Sequence, residues 1–137
     1  MDCNFSLKLA DCALSRDLFP QDYHCLANNE NKPVFWMAYE SLKENTYTAK
    51  TDVWSAGVFM WECFSLGAQP YEDLDPFDLI TYLSESDQNR LSRPTKCPNE
   101  IFEIYFQCWN ISSNMRPTLK EIFYSIHKLY SNYDNYV

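Results

Sequence analysis

The pattern of apolar and polar positions divides the chain into a short alternating start, an irregular stretch and a long helical remainder. Positions 5–10 alternate between apolar and polar side chains, which predicts a short, half-buried strand. From 11 to 33 no period persists, and Pro20 together with a cluster of asparagines predicts a loop. Beyond this loop the apolar positions follow the spacing of helices.

The stretch 53–66 is apolar almost all round, so it predicts a helix in the middle of the core. Thr51 or Asp52 is expected to cap its N-terminus by accepting hydrogen bonds from exposed backbone N–H groups. Residues 84–93, further along, have the composition of a polar connector.

Three further helices are predicted after the central one. Asp75 as the N-cap and Pro76 at the first helical position start one, and Pro98 starts the next. Thr118 and Glu121 form a Thr-x-x-Glu capping box for the last. The apolar sides of the three helices comprise Phe77, Ile80, Tyr82 and Leu83; Ile101, Ile104, Tyr105, Cys108 and Trp109; and Leu119, Ile122, Phe123, Ile126, Leu129 and Tyr130. The fold class is therefore mainly α, with about five helices and a short N-terminal β element.

Composition bounds the class of protein. A chain of 137 residues with 46% apolar content is about one domain with an ample core. A net charge of -8 argues against a nucleic-acid partner, since no basic surplus is present to displace counterions. No stretch is long and apolar enough to insert into a membrane, and the start has no positive region typical of a secretory signal.

The six cysteines include no Cys-x-x-Cys pair of the kind that zinc and redox sites use. Their even number leaves a disulfide framework formally open. Reduced, partly buried thiols in a cytosolic setting are the favoured interpretation, because a core of this size needs no covalent support.

Three tryptophan-bearing motifs occur in order, within 33–42, 51–58 and 108–118. Together they resemble the C-terminal lobe of a tyrosine kinase: the end of the activation segment, the central buried helix and the closing Arg-Pro-Thr. The resemblance implies a kinase-like domain over 1–130 and a C-terminal tail over 131–137. Only ten residues precede Asp11, where the family's metal-binding motif begins. We therefore expect the ATP-clamping lobe and the catalytic loop to be absent from this chain, and no catalytic residue to be present.

The motif at Asp11 is altered. In the family this Asp holds Mg²⁺ against the phosphates of ATP, because a hard cation takes oxygen ligands. Cys12 and Ala13 stand where the family has Phe and Gly, which set the active state and give the turn its freedom. ATP and Mg²⁺ are thus cofactors of the family, and the resemblance implies no cofactor for this chain beyond a weakened metal position at Asp11.

Other positions that match the family are structural. The resemblance implies a buried ion pair between Glu40 and Arg116, and structural roles for Trp54 and Trp109. Asp52 would accept hydrogen bonds from the catalytic-loop backbone, so we expect it to be partly without partners here. Two departures, Phe35 and Tyr39, fall where a peptide substrate would dock.

The runs 11–26 and 29–42 look like the Ryk/Derailed group of Wnt receptors, whose domain is generally regarded as a pseudokinase. The resemblance implies a signalling module on the cytoplasmic side of the plasma membrane, within a single-pass receptor that binds Wnt through its ectodomain and acts in axon guidance. Tyr23 occupies the activation-loop tyrosine position, where phosphate could order the loop against Arg16; a plain surface tyrosine is the alternative. Tyr136 and Val137 suit a PDZ groove, and a frayed tail is the alternative.

Two other functions stay open. The chain could be a fragment of a working receptor tyrosine kinase that binds ATP and phosphorylates tyrosine. It could also be a helical interaction domain whose kinase-like motifs are structural relics, although matched positions at Asp11, Glu40, Asp52 and Arg116 weigh against this. Active transfer needs a Gly-rich loop, a strand Lys paired with a helix Glu, and a catalytic-loop Asp and Asn.

Overall fold

The computed structural model describes residues 16–26 and 30–134, with side chains to 131. The chain forms two compact units, 1–34 and 35–137. The predicted strand at 5–10, the altered motif at 11–13 and the C-terminal Tyr136 and Val137 lie outside the described residues.

The first unit contains more order than the sequence predicts for 11–33. A helical turn covers Pro20–Asp22, and two short strands follow, β1 (His24–Cys25) and β2 (Asn31–Lys32). They pair antiparallel, with His24 opposite Lys32. Strands of two residues each give no measurable alternation, which is why the pattern of side chains shows only a loop.

The second unit is helical. Its elements are α1 (Tyr39–Glu44), α2 (Ala49–Ser65), α3 (Leu79–Glu85), α4 (Asn99–Phe106) and α5 (Leu119–Asp134), with single helical turns at Gln107–Trp109 and Ser113–Met115. A further helical turn, Val34–Trp36, includes the last residue of the first unit. α2 packs against α4 and the turn after it, α4 contacts α5, and α1 contacts α3. The predicted mainly α fold is confirmed, with one two-stranded sheet among the described residues.

The N-cap of α2 differs from the prediction. The cap is Thr48, whose hydroxyl accepts from the Lys50 backbone N–H at 3.1 Å. Thr51 completes a reciprocal capping box, because its hydroxyl accepts from the Thr48 N–H at 3.0 Å. The helix therefore begins at Ala49, four positions before 53. Asp52 lies within the first turn, where its charge suits the helix dipole, and it is not the cap.

α2 is buried on one side only. Val53, Trp54 and Val58 are buried, whereas Phe59 is 59% exposed and Leu66 is 78% exposed. The prediction that this helix is surrounded by core is wrong for the described chain. An apolar stretch has no polar face to mark the exposed side, so its hydropathy alone does not show which side the neighbours cover.

The predicted stripes of α3 and α5 are partly wrong. Asp75 accepts from the Phe77 N–H at 2.9 Å and opens a turn, but α3 begins only at Leu79. Leu79 and Leu83 are its buried residues, and Phe77 is exposed. In α5 the exposed side chains include Phe123 and Tyr130, while Ile122 is buried. α5 also continues to Asp134, beyond the domain boundary predicted at 130.

Replacing Leu66 by Gly is expected to stabilise the protein. Leu66 ends α2 in the left-handed conformation, with a φ of 62°, and its exposed side chain contributes little burial. A left-handed residue costs about 1–2 kcal/mol unless it is Gly. We expect Leu66→Gly to raise the free energy of unfolding by about 1 kcal/mol in urea titrations. Leu66→Ala keeps the strained backbone and serves as the control; an equal gain from Ala would contradict the explanation.

Candidate functional site

The centre of the second unit is Trp54, which α2 carries into the core at 0% exposure. Two arginines lie over its ring. The guanidinium carbon of Arg116 is 5.0 Å from the ring centroid, and that of Arg90 is 5.4 Å away. A guanidinium this close to an aromatic face gains electrostatic attraction, so Trp54 helps to accommodate two buried cations.

Arg116 binds Glu40 through two parallel hydrogen bonds. Nη1 donates to Oε1 and Nη2 to Oε2, both at 2.7 Å. The remaining donors reach the carbonyls of Asn110 at 2.8 Å and Lys50 at 2.9 Å. The side chain of Arg116 is 0% exposed and that of Glu40 is 17% exposed. The buried ion pair that the resemblance implies is thus present, and it joins α1 to the segment that precedes α5.

Arg90 is a buried residue that the sequence pattern misses. Its Nε donates to the Trp109 carbonyl at 2.8 Å, and Nη1 donates to the carbonyls of Leu83, Ser86 and Asn89. Burial lowers the pKa of Arg90, while nearby Tyr71 and Asp87 raise it. Because carbonyl oxygens from separate places supply the acceptors, a run of polar residues at 84–93 gives no sign that one of them is internal.

Gly57 allows α2 to approach Trp109 closely. A Cβ atom on Gly57 would lie 2.8 Å from both Cys108 Cβ and Trp109 Nε1. Trp109 is buried, and its Nε1 has no hydrogen-bond partner among the described residues. Burial also raises the pKa of the Cys108 thiol to about 12, so this thiol stays protonated and behaves as a small apolar group.

Asp52 lies apart from this centre. Its side chain is exposed at the start of α2, and no hydrogen bond joins it to another described residue. Hydration can replace the missing partners, so an exposed carboxylate here carries little energetic penalty. Its neighbour on the helix, Ser55, donates to the Trp36 carbonyl at 2.9 Å.

Phe35 and Tyr39 do not form one open surface. Phe35 is buried, with its ring 6.1 Å from that of Tyr71. Tyr39 is half-buried, and the Lys43 ammonium lies 5.4 Å from its ring. The aromatic side chain at 35 therefore serves packing, and it does not present a group to a peptide.

The remaining predicted site residues do not come together in one site within the described part of the chain. Tyr23 is half-buried in the first unit, and its N–H reaches the Pro20 carbonyl at 3.3 Å. Arg16 lies 3.9 Å from Asp17. Asp11, Cys12 and Ala13 fall outside the described residues.

The described residues include free thiols, but they form no cluster of metal-ligating side chains. Residues 16–26 and 30–134 contain no group of three potential metal-ligating side chains. Cys25 and Cys63 are exposed free thiols, and Cys97 and Cys108 are buried free thiols. Among the described helices, none combines the length and the hydropathy that crossing a membrane would require.

The capping box at the start of α5 makes stability depend on pH. Backbone and side-chain hydrogen bonds from Thr118 lower the pKa of Glu121 below its ordinary 4.5. A lowered pKa in the folded state contributes stability above the unfolded pKa and loses it as pH falls through the folded value. We expect wild type to exceed Glu121→Gln in free energy of unfolding at pH 7, and the difference to shrink progressively as the pH falls below the ordinary pKa of the carboxyl group, 4.5. Urea titrations across this range measure it; a difference that grows in acid would contradict the assignment.

Comparison with known proteins identifies the same family that the sequence motifs resemble. The model of the family described as "Protein tyrosine and serine/threonine kinase" matches residues 1–126. Tyrosine-protein kinase RYK of Mus musculus is 42% identical over 137 residues, which are 100% of this chain and 23% of the relative. Inactive tyrosine-protein kinase RYK of Caenorhabditis elegans is 38% identical over 131 residues, 96% of this chain and 22% of the relative. Tyrosine-protein kinase Dnt of Drosophila melanogaster is 41% identical over 137 residues, 100% of this chain and 23% of the relative.

The chain thus spans less than a quarter of the length of these relatives. The matched region contains the Glu40–Arg116 pair, the buried Trp54 and the helical order described above. The chain belongs to the protein tyrosine and serine/threonine kinase family, and it corresponds to part of the C-terminal lobe of a kinase domain of the Ryk/Derailed type.

Proposed function

We propose that the chain is part of a pseudokinase module in a Ryk/Derailed-like receptor, on the cytoplasmic side of the plasma membrane, where it docks signalling proteins in the Wnt response. One observation carries the proposal: the structural frame is kept while the metal-binding motif is altered. Glu40 accepts two hydrogen bonds from Arg116, and Arg116 lies over the ring of the buried Trp54. The motif at 11–13, in contrast, reads Asp-Cys-Ala where the family has Asp-Phe-Gly.

Two further observations support a docking role over phosphate transfer. One relative bears the name inactive tyrosine-protein kinase RYK. In addition, Phe35 is buried at a position where kinases of this family meet their peptide substrates. A domain that keeps the frame can still present surfaces to partners when the transfer chemistry is gone.

A second candidate function is tyrosine phosphorylation by an active receptor kinase. The relatives from mouse and human are both named tyrosine-protein kinase RYK, and Asp11 is retained. In that case Asp11 would hold Mg²⁺ and so position the phosphates of ATP, with the remaining machinery supplied from the rest of the protein. Tyr23 would then be a candidate phosphorylation site.

The two functions are distinguished by variants of the full-length receptor in cells. We expect Asp11→Asn to leave the Wnt response unchanged, because a docking module needs no metal ligand. Arg116→Met is expected to abolish the response by unfolding the frame. Asp78→Asn, at an exposed acidic position whose side chain makes no capping hydrogen bond, is the matched control for the first substitution. Loss of the Wnt response in Asp11→Asn at wild-type receptor abundance would contradict the docking proposal, as would transfer of phosphate from ATP to a tyrosine peptide by the purified two-lobe domain.

The C-terminal docking element is tested separately. A terminal carboxylate at Val137 would enter a PDZ groove by strand addition. A synthetic peptide of the last ten residues is expected to bind a type of PDZ domain that accepts Val at the terminus, and Val137→Asp is expected to abolish binding. Equal binding of the two peptides, measured by fluorescence anisotropy, would remove the PDZ element from the proposal.

A further inference from the structure

A groove lies between α4 and α5 of the second unit, two helices that contact each other. It consists of two adjoining hollows of about 310 Å³ and 390 Å³. Ile104, Gln107 and Ser125 line both hollows, so the two are continuous along the helix pair. Because Gln107 and Ser125 are exposed, the groove is open to solvent. An elongated, open groove suits a stretch of peptide better than a small molecule, which needs a more enclosed pocket to bury most of its surface.

The floor of the groove is apolar. Ile104 and Leu129 are half-buried, so part of each side chain stays uncovered between the helices. Met115, at the other end, is 71% exposed. Apolar side chains that are partly uncovered and surrounded by polar ones are typical of interaction sites, because a partner that covers them removes apolar surface from water. The groove therefore offers anchoring positions for the apolar side chains of a partner.

The rim of the groove is acidic. Glu100 and Glu103 lie along α4, are exposed and form no ion pair with any residue that the structure describes. Glu121 lies at the other end, and hydrogen bonds from Thr118 lower the pKa of its carboxyl group, so it is ionised at neutral pH. These carboxylates are placed to pair with cations of a partner that occupies the groove.

The cations near the groove do not cancel this charge. Arg116 lines one hollow, but its charge is paired with that of Glu40. Lys128 lines the other hollow and offsets one carboxylate of the rim. Lys50 donates to the Arg116 carbonyl and is not part of the lining. Since the whole chain also carries a net charge of -8, the groove attracts a basic partner and disfavours an acidic peptide or an anionic lipid surface.

We propose that the α4–α5 groove binds a basic amphipathic segment of a partner protein, whose apolar side chains contact Ile104, Met115 and Leu129 while its lysines or arginines pair with Glu100 and Glu103. A segment with apolar residues at helical spacing presents both features together, because its cations flank one apolar side. This surface rests on the docking function proposed above, and it adds where the partner binds and what chemistry the partner has.

Fluorescence anisotropy with the full chain tests the groove. The fluorescein-labelled probe is Lys-Leu-Lys-Lys-Leu-Leu-Lys-Lys-Leu-Lys amide, whose leucines share one side of a helix. The comparison peptide Lys-Leu-Lys-Leu-Lys-Leu-Lys-Leu-Lys-Lys amide has the same composition and charge, but its leucines spread around a helix. A third peptide carries Glu in place of every Lys of the first. We expect the first peptide to bind saturably, the second to bind at least about tenfold more weakly, and the acidic peptide not to bind.

A variant that fills the groove tests the position of the peptide. Ser125→Trp adds a large side chain at an exposed position that lines both hollows, and it is expected to weaken binding about tenfold or more. Tyr124→Trp is the matched control, because it places the same residue at an exposed position of α5 outside the groove. It is expected to leave the affinity unchanged. Circular dichroism checks that both variants are folded.

A charge variant tests the rim. Glu100→Gln combined with Glu103→Gln is expected to weaken binding about fivefold, since each exposed ion pair contributes modestly. Glu72→Gln combined with Glu85→Gln removes the same charge from exposed positions outside the groove. This control is expected to change the affinity by less than about twofold, because salt screens distant charges.

Several results would overturn the groove as the docking surface. They are equal binding of the two basic peptides, no effect of Ser125→Trp, equal losses from the two charge variants, and no saturable binding up to about 100 μM peptide. Self-association of the chain that Ser125→Trp abolishes, measured by analytical ultracentrifugation, would also overturn it, because a second copy would then be the occupant. None of these results contradicts the docking function itself, which Asp11→Asn tests in cells. Loss of the Wnt response in Asp11→Asn with intact peptide binding would contradict that function and not the groove.

Discussion

Substituting Arg116 by Met is expected to lower the free energy of unfolding by about 3–5 kcal/mol. The change leaves the Glu40 carboxylate largely buried without its bidentate partner, and it removes the donors to the Asn110 and Lys50 carbonyls. Met is similar in length to Arg and keeps an apolar stem. The loss in free energy of unfolding therefore reflects the missing charge and hydrogen bonds more than a change in volume. Urea unfolding at neutral pH, followed by far-ultraviolet circular dichroism, measures the change.

Lys120→Met is the matched control, since Lys120 is an exposed cation on α5. It is expected to change stability by less than about 0.5 kcal/mol. The double variant Glu40→Gln with Arg116→Met tests the pairing, because removing both charges leaves no buried charge uncompensated. The double variant is expected to lose much less free energy of unfolding than the two single variants lose together. Strict additivity would show that the two side chains do not act together.

Replacing Gly57 by Val is expected to destabilise the protein by about 3 kcal/mol. The first carbon added would lie 2.8 Å from Cys108 Cβ and Trp109 Nε1, and 3.2 Å from the Tyr105 carbonyl oxygen. These neighbours are buried, so α2 must move away from α4 to admit the side chain. The gain in helix propensity over Gly is at most about 1 kcal/mol and does not offset the clash.

Two comparisons test this explanation. Gly57→Ala adds fewer atoms and is expected to lose less than Val. Cys63→Val places the same residue at an exposed position of the same helix, and it is expected to be nearly neutral. Thermal unfolding of the three variants gives their order. If Gly57→Val matched wild type in melting temperature, the close contact between α2 and Trp109 would be excluded.

The sequence predicts features that are set by residues close together in the chain. It also predicts features that are shared by the family it resembles. The Thr118–Glu121 capping box is confirmed at 2.7 Å and 3.2 Å, since its chemistry is local. The Glu40–Arg116 pair follows from the family resemblance, which places two distant motifs in one frame.

Features that depend on which neighbours are present were not predictable. Phe59 and Phe123 occupy helical apolar positions yet are exposed, because periodicity identifies an apolar side and not the element that covers it. Thr48 was missed as a cap since it forms its box with Thr51 instead of an acidic residue. Arg90 is buried, and its side chain donates to backbone carbonyls from several segments. No local sequence pattern predicts such an arrangement.

The pairing of Glu40 with Arg116 also bears on how the molecule matures. The two residues are 76 positions apart, and Trp54 beneath Arg116 belongs to the earlier part of the chain. During synthesis the early helices emerge long before the arginine that closes them, and at about 5–20 residues per second this interval lasts several seconds. Throughout this interval the Trp54 ring and the Glu40 carboxylate lack the arginine that contacts them in the folded chain, so we expect the early helices to be more prone to association until residue 116 has been synthesised.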